Sequence, residues 1–145
     1  MLMEAVMSAT HVRANFGEFI DSVVREKPQI VKRNRDMIIA TSFPQMRILL
    51  SAYELNYEFE IDENGKYAGS IEEIEFIVAD GGSAEELRLN LAQQLMEYAK
   101  DYMSDYTRYF NAPNTRIHAP YVLRILLEDD VTSVASLLHG DAELE

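Results

Sequence analysis

Few of the reactive side chains in this sequence are spaced for catalysis. The three histidines, His11, His118 and His139, stand in separate stretches without metal-ligand spacing. The acidic pairs Glu72-Glu73, Glu85-Glu86 and Asp129-Asp130 have the chemistry for acid–base work or for a divalent cation. Adjacent carboxylates on strands and helix ends are ordinarily solvated, however, and no role is assigned to them. With no cysteine, a disulfide framework, a thiolate zinc site and a cysteine nucleophile are all excluded. The glycines form neither a P-loop nor a dinucleotide fingerprint, "DENG" is too short for a calcium-binding loop, and no nucleophile elbow is present. The expectation is a protein without cofactor or catalytic residues. A hydrolase working through the acidic pairs is the competing enzyme reading, and it would depend on a divalent metal.

Two charged sets do have a pattern. Arg13 and the run "KRNR", with Lys32, Arg33 and Arg35, form a basic set suited to phosphate. Glu97, Asp101 and Asp105 recur at every fourth position beside Tyr102 and Tyr106, which reads as an acidic, aromatic surface for a basic protein. The alternative is the solvated side of an amphipathic helix. The net charge of −12 divides unevenly: residues 1–56 hold seven Lys/Arg against six Asp/Glu, whereas residues 57–145 hold six against nineteen. The basic set therefore lies in the only part of the chain that is not acidic. That asymmetry suits an anion-binding part joined to a part that faces something else.

The elements that must position these sets follow from hydrophobic spacing. Apolar residues make up 48% of the chain, enough for a core, and no apolar run is long enough to cross a bilayer. No basic-then-apolar leader opens it, so a soluble cytoplasmic protein with no membrane partner is expected. Val12, Phe16, Phe19, Ile20, Val23 and Val24 share one face of a single helix that starts at the Ser8 N-cap and stops before Pro28. Arg13 then falls in its second turn, near the positive end of the helix dipole, an odd place for a cation unless an anion joins it. "QIVKRN" and "DMIIATS" read as a hairpin with Lys32, Arg33 and Arg35 at its tip, and "AVMSA" supplies a third strand. "FPQMRILLSAYE" reads as a second helix with Met46, Leu49, Leu50 and Tyr53 on its apolar side. Fifty-odd residues in this order cannot cover a core alone, which points to a homodimer.

At this point "VMSATHVRANFGEFIDSVVREKPQIVKRNRDMIIATS" resembles the N-terminal domain of Phd/YefM antitoxins: a strand ending in Ser, an R-x-N in the first helix, a P-x-I-V strand, a basic turn and an A-x-x-S strand end. The resemblance implies a homodimer that binds operator DNA and represses its own toxin–antitoxin operon. It places the DNA contacts on Arg13, Lys32, Arg33 and Arg35. His11 stands where that family usually has Glu, and Arg35-Asp36 replaces its usual Gly-plus-basic turn.

Beyond Asn56, Tyr57, Phe59 and Ile61 alternate with Glu58, Glu60 and Asp62 as a half-buried strand, and "EIEFIVA" reads as another with Ile74, Phe76 and Val78 on one side. After Gly81-Gly82, Ser83 and Glu86 have capping-box spacing. The stripe Leu87, Leu91, Leu95, Tyr98/Ala99, Tyr102 and Tyr106 then continues one long helix to about Phe110. This segment resembles HicB-like antitoxin domains. "NAPNTRIHAP" reads as a loop, "YVLRILLEDDVTSVASLLHG" as one helix or two short ones ending at Gly140, and "DAELE" as a frayed tail.

The sequence thus predicts an α+β protein: a strand–helix–hairpin–helix dimerisation and DNA-binding domain over 1–55, and an acidic strand–strand–long-helix module with terminal helices over 56–145. Its function reads as a DNA-binding antitoxin and autoregulator whose second module, through Glu97, Asp101, Tyr102, Asp105 and Tyr106, meets a cognate toxin. The alternative is a dimeric interaction or small-ligand-binding protein that keeps the antitoxin fold without binding DNA.

Overall fold

The computed structural model describes residues 5–140; the tail "DAELE" over 141–145 and residues 1–4 lie outside the described residues. The protein is α+β, with two sheets and eight helices among those residues. It divides into two compact units, 1–49 and 50–145. The division falls inside the helix predicted over residues 43–54, a few residues before the Asn56 boundary expected from sequence.

In the first unit, strand β1 (Val6–Ser8) runs parallel to β2 (Gln29–Arg33), which pairs antiparallel with β3 (Asp36–Ala40) in the order β1-β2-β3. The hairpin loop is Asn34-Arg35. Asn34 takes φ 56°, the left-handed region that Asn enters at low cost. Helix α3 (Phe43–Leu50) follows, with the Ser42 hydroxyl accepting from the Gln45 N–H at 3.3 Å.

The single helix expected over Ser8–Arg25 is two: α1 (Ala9–Ala14) and α2 (Phe16–Arg25). The break is Asn15, at φ −130° and ψ 47°. Its side-chain amide donates to the His11 carbonyl at 3.1 Å, so local bonding competes with a continued helix.

The second unit is built on strands β4 (Leu55–Ile61), β5 (Tyr67–Ile71), β6 (Val78–Gly81) and β7 (Leu138–Gly140), ordered β6-β5-β4-β7. The β4–β5 and β5–β6 pairs are antiparallel, and β7 returns parallel to β4 with Leu55 opposite Leu138. Helix α4 (Ala84–Ser104) lies on one face of this sheet. Leu87, Leu91, Leu95, Tyr98, Ala99 and Tyr102 are all buried there, the stripe that the 3.6-residue period requires. Two further helices, α7 (Ala119–Leu126) and α8 (Val131–Ala135), pack on α4 and add Val122, Ile125 and Val134 to the core. At Gly81 the backbone of Leu87 comes so close that a Cβ would stand 2.6 Å from its nitrogen. Only glycine lets β6 turn into α4 at that distance.

Four further expectations change here. The long helix stops at Ser104, because Asp105 leaves helical geometry at φ −139° and ψ 50°, and α5 (Tyr106–Asn111) restarts in a new direction. The 21 residues of α4 span about 32 Å, shorter than the continuous rod predicted to Phe110. "NAPNTRIHAP" is not all loop: Pro113 opens the short helix α6 (Pro113–Arg116), and α7 begins at Ala119. Leu138–Gly140 forms strand β7 and does not extend a helix, because the open side of β4 offers it a parallel partner.

The fourth change concerns "EIEFIVA", which is mostly not a strand. Residues 72–77 form an irregular loop before β6. Asn56 holds that loop: its carbonyl accepts from the Glu72 N–H at 2.8 Å, and its own N–H and side-chain amide donate to the Glu73 carboxylate at 2.7 and 2.9 Å. Ile74 and Ile77 point into the core, and Phe76 and Val78 are left outside.

Candidate functional site

The basic set lies at one end of the first sheet. Lys32 and Arg33 end β2, Arg35 sits in the two-residue loop, and all three are exposed. The parallel register puts Ser8 opposite Lys32, so α1, which carries Arg13, starts beside the basic strand end. Ser8 caps α1 by accepting the His11 N–H at 3.1 Å. Among the described residues Arg13, Lys32 and Arg35 form no ion pair, and Arg33 has only an exposed contact of 4.0 Å with Asp36. Such a contact is worth little in water. Each cation therefore stays available to an outside anion.

The dipole argument for Arg13 does not survive the break at Asn15. Arg13 lies in the last turn of α1, where helix carbonyls favour a cation, so its position needs no bound anion. What remains for Arg13 is exposure and nearness to the hairpin.

The apolar face predicted as core is largely uncovered in the first unit. Val23 is buried, but Phe16, Ile20 and Val24 are exposed on α2, as are Phe43 and Ile48 on α3. On β3, Ile38 is 62% and Ile39 66% exposed. Neighbouring strand residues point to opposite faces, so both faces of this edge strand are bare. An edge with unpaired backbone groups and apolar side chains is a template for a second chain.

The acidic, aromatic set separates into surface and core. Glu97, Asp101, Asp105 and Tyr106 are exposed on α4, its C-terminal cap and α5. Tyr102, expected at that surface, is fully buried: its hydroxyl donates to the Thr115 carbonyl at 2.8 Å and its ring stacks on Tyr109 at 4.9 Å. The helical period explains the exchange, since Tyr102 belongs to the Leu91–Leu95–Tyr98 stripe. Asp105 is bound to Arg108 at 3.3 Å, and Tyr106 stacks on Phe110 at 5.2 Å.

A third cluster escaped the sequence reading. His118, at the start of α7, is buried, and its Nδ1 lies 2.7 Å from the Tyr98 hydroxyl. Burial holds its pKa below the usual histidine value, and Glu75 works against that shift. Burial, with Tyr102 and Tyr109 adding to it, raises the Tyr98 pKa, so Tyr98 keeps its proton, and the imidazole tautomer sets which of the two groups donates. Phe76 packs edge-on to both, 5.0 Å from Tyr98 and 5.7 Å from His118, yet is 57% exposed. No motif announces this group, which comes from three stretches of sequence. Among the described residues no three His, Asp or Glu side chains gather to hold a metal ion, and no helix is long and apolar enough to cross a membrane.

The first unit thus presents exposed cations at a sheet end, and the second presents exposed carboxylates and aromatic rings. The model of the PHD-like family, described as antitoxin of toxin–antitoxin, RelE/RelB, TA system, matches residues 3–140, and the chain belongs to that antitoxin family. A crystal structure of an antitoxin part of a proposed toxin/antitoxin system from Syntrophomonas wolfei subsp. wolfei is similar at 36% identity and a TM-score of 0.86. That match covers 94% of this chain and 97% of the other. No curated protein matches.

Proposed function

We propose that this antitoxin is a homodimer that binds operator DNA through Arg13, Lys32, Arg33 and Arg35, represses its own toxin–antitoxin operon in the cytoplasm, and holds a basic toxin on its acidic second unit. It acts by binding and not by catalysis. The observation that carries the reading is the set of uncommitted cations at the sheet end of a unit whose apolar faces are bare. A second copy covering α2 and the β3 edge would double the cations along one duplex. The strand–helix–hairpin–helix order supports a Phd/YefM-type first unit over about 1–55, and the strands followed by a helix opening at Ser83-Ala84-Glu85-Glu86 support a HicB-like second one. The partner surface on the second unit then comprises Glu97, Asp101, Asp105 and Tyr106.

Fluorescence anisotropy against the duplex upstream of its own gene and a scrambled duplex, across a salt series, tests the DNA part. Eight phosphate contacts per dimer would give a slope of about −7 in log K against log salt. Replacing Lys32, Arg33 and Arg35 together with Ala should cut the slope steeply; an unchanged affinity and slope would end the reading. Retention of a basic toxin through co-purification tests the other part.

The second reading is a dimeric interaction or small-ligand-binding protein without DNA affinity. It is favoured by a cleft of about 860 Å³ on the second sheet, bounded by Glu58, Glu60 and Asp80. A stable dimer that ignores its own upstream DNA even at low salt would carry it.

A further inference from the structure

The loop over 72–77 and helix α6 with the turn that leads into α7 line a pocket of about 400 Å³ in the second unit. Glu73, Glu75, His118 and the exposed Phe76 and Ile117 are among its lining residues. We infer that this pocket receives a single arginine or lysine side chain of a protein partner.

Three properties select an organic cation. Both oxygens of the Glu73 carboxylate accept from Asn56, so the charge lines the pocket with its position already determined, and each oxygen keeps acceptor capacity. Glu75 adds a second, exposed negative charge. An anion would be repelled here, and a plain apolar side chain would desolvate both carboxylates without pairing them. Phe76 supplies an aromatic ring held by Tyr98 and His118 and still largely open to solvent, the geometry a guanidinium or ammonium uses. No third ligand converges with the two carboxylates among the described residues, which disfavours a bare metal ion.

The nearby charges do not compete. His118 is kept neutral by burial, and Arg116, next to Ile117 in the chain, donates to the Phe110 carbonyl at 2.6 Å with its guanidinium over that ring. The loop is stiff as well, since Ile74 and Ile77 anchor it in the core and the Ile71 N–H bonds the Ile77 carbonyl at 3.0 Å. Little ordering cost remains for a partner to supply. The occupant's being a side chain of the toxin rests on the antitoxin reading; the preference for a cation does not.

The full-length protein, labelled in His and Phe, would be titrated with the peptide acetyl-Gly-Arg-Gly-amide and with its citrulline counterpart, a neutral isostere, while aromatic NMR shifts are followed. Saturating shifts at Phe76 and His118 with the arginine peptide, about fivefold weaker with citrulline, are expected. Glu75→Gln should weaken binding by a similar factor, Phe76→Leu should do so while keeping the apolar volume, and Glu63→Gln, in the exposed turn between β4 and β5, should leave it unchanged. Equal response to both peptides, no saturation, or an unaltered Glu75→Gln titration would overturn the inference. Loss of DNA binding or of toxin co-purification with the peptide result intact would overturn the function proposed above and leave the pocket standing. Retained co-purification without a peptide response would do the reverse.

Discussion

Tyr98→Phe removes one oxygen from the middle of the second unit and exposes what that oxygen does. The hydroxyl shares a hydrogen bond of 2.7 Å with Nδ1 of His118, and both side chains are buried. Without it, the buried Nδ1 loses its partner, which costs about 1–3 kcal/mol, while the ring and its packing against Phe76 and Tyr102 persist. The neutral imidazole also has a pH signature. Its folded pKa lies below the unfolded value of about 6.5, so the unfolded chain binds more protons between those two values. Stability from neutral His118 is therefore fully present above about pH 6.5 and is lost as pH falls through the folded pKa, by at most about 1.4 kcal/mol per pH unit. Urea unfolding of the wild type, Tyr98→Phe, His118→Gln and the double variant, near pH 7.5 and near pH 5.5, measures both effects. A Tyr98→Phe penalty under about 0.5 kcal/mol, or equal pH dependence in the wild type and His118→Gln, would refute the account.

Other perturbations have equally direct readouts. Ile39→Lys on the bare edge of β3 should turn the proposed dimer into a monomer in sedimentation velocity with little change in circular dichroism, since the side chain is exposed in the single chain. Leu91→Ala, at a position fully buried between α4 and the sheet, should cost about 2–5 kcal/mol in chemical unfolding. Gly81→Ala, which would drive a Cβ against the Leu87 backbone, should lower the melting temperature and broaden the amide signals of β6 and the start of α4.

Much of the organisation was legible because it depends on local period and turn chemistry. The alternation around Tyr57 gave β4, the Ser83 cap and the leucine stripe gave α4, and the basic run in "KRNR" gave the hairpin tip. The helix breaks were not legible. Asn15 and Asp105 sit inside unbroken apolar spacing, and what distinguishes them is a local hydrogen bond or backbone geometry that periodicity does not encode. The "EIEFIVA" stretch misled for a related reason: it has the alternation of a strand, but Asn56, far off in sequence, binds Glu72 and Glu73 and converts it into a loop. Tyr102 qualified for both a surface and a core by spacing alone, and only packing against Tyr109 and Thr115 assigned it to the core.

By itself the sequence determined the division of charge, the basic hairpin, the buried stripe of the long helix and the resemblance to antitoxins, because composition, hydrophobic period and motif order are properties of neighbours along the chain. Tertiary structure decided which of those side chains meet. It put Ser8 beside Lys32 through a parallel register, left the faces of α2 and β3 uncovered, and gathered Phe76, Tyr98 and His118 from three distant stretches into one cluster. Contacts of that kind are set by sheet register and close packing between remote segments, for which no local pattern exists.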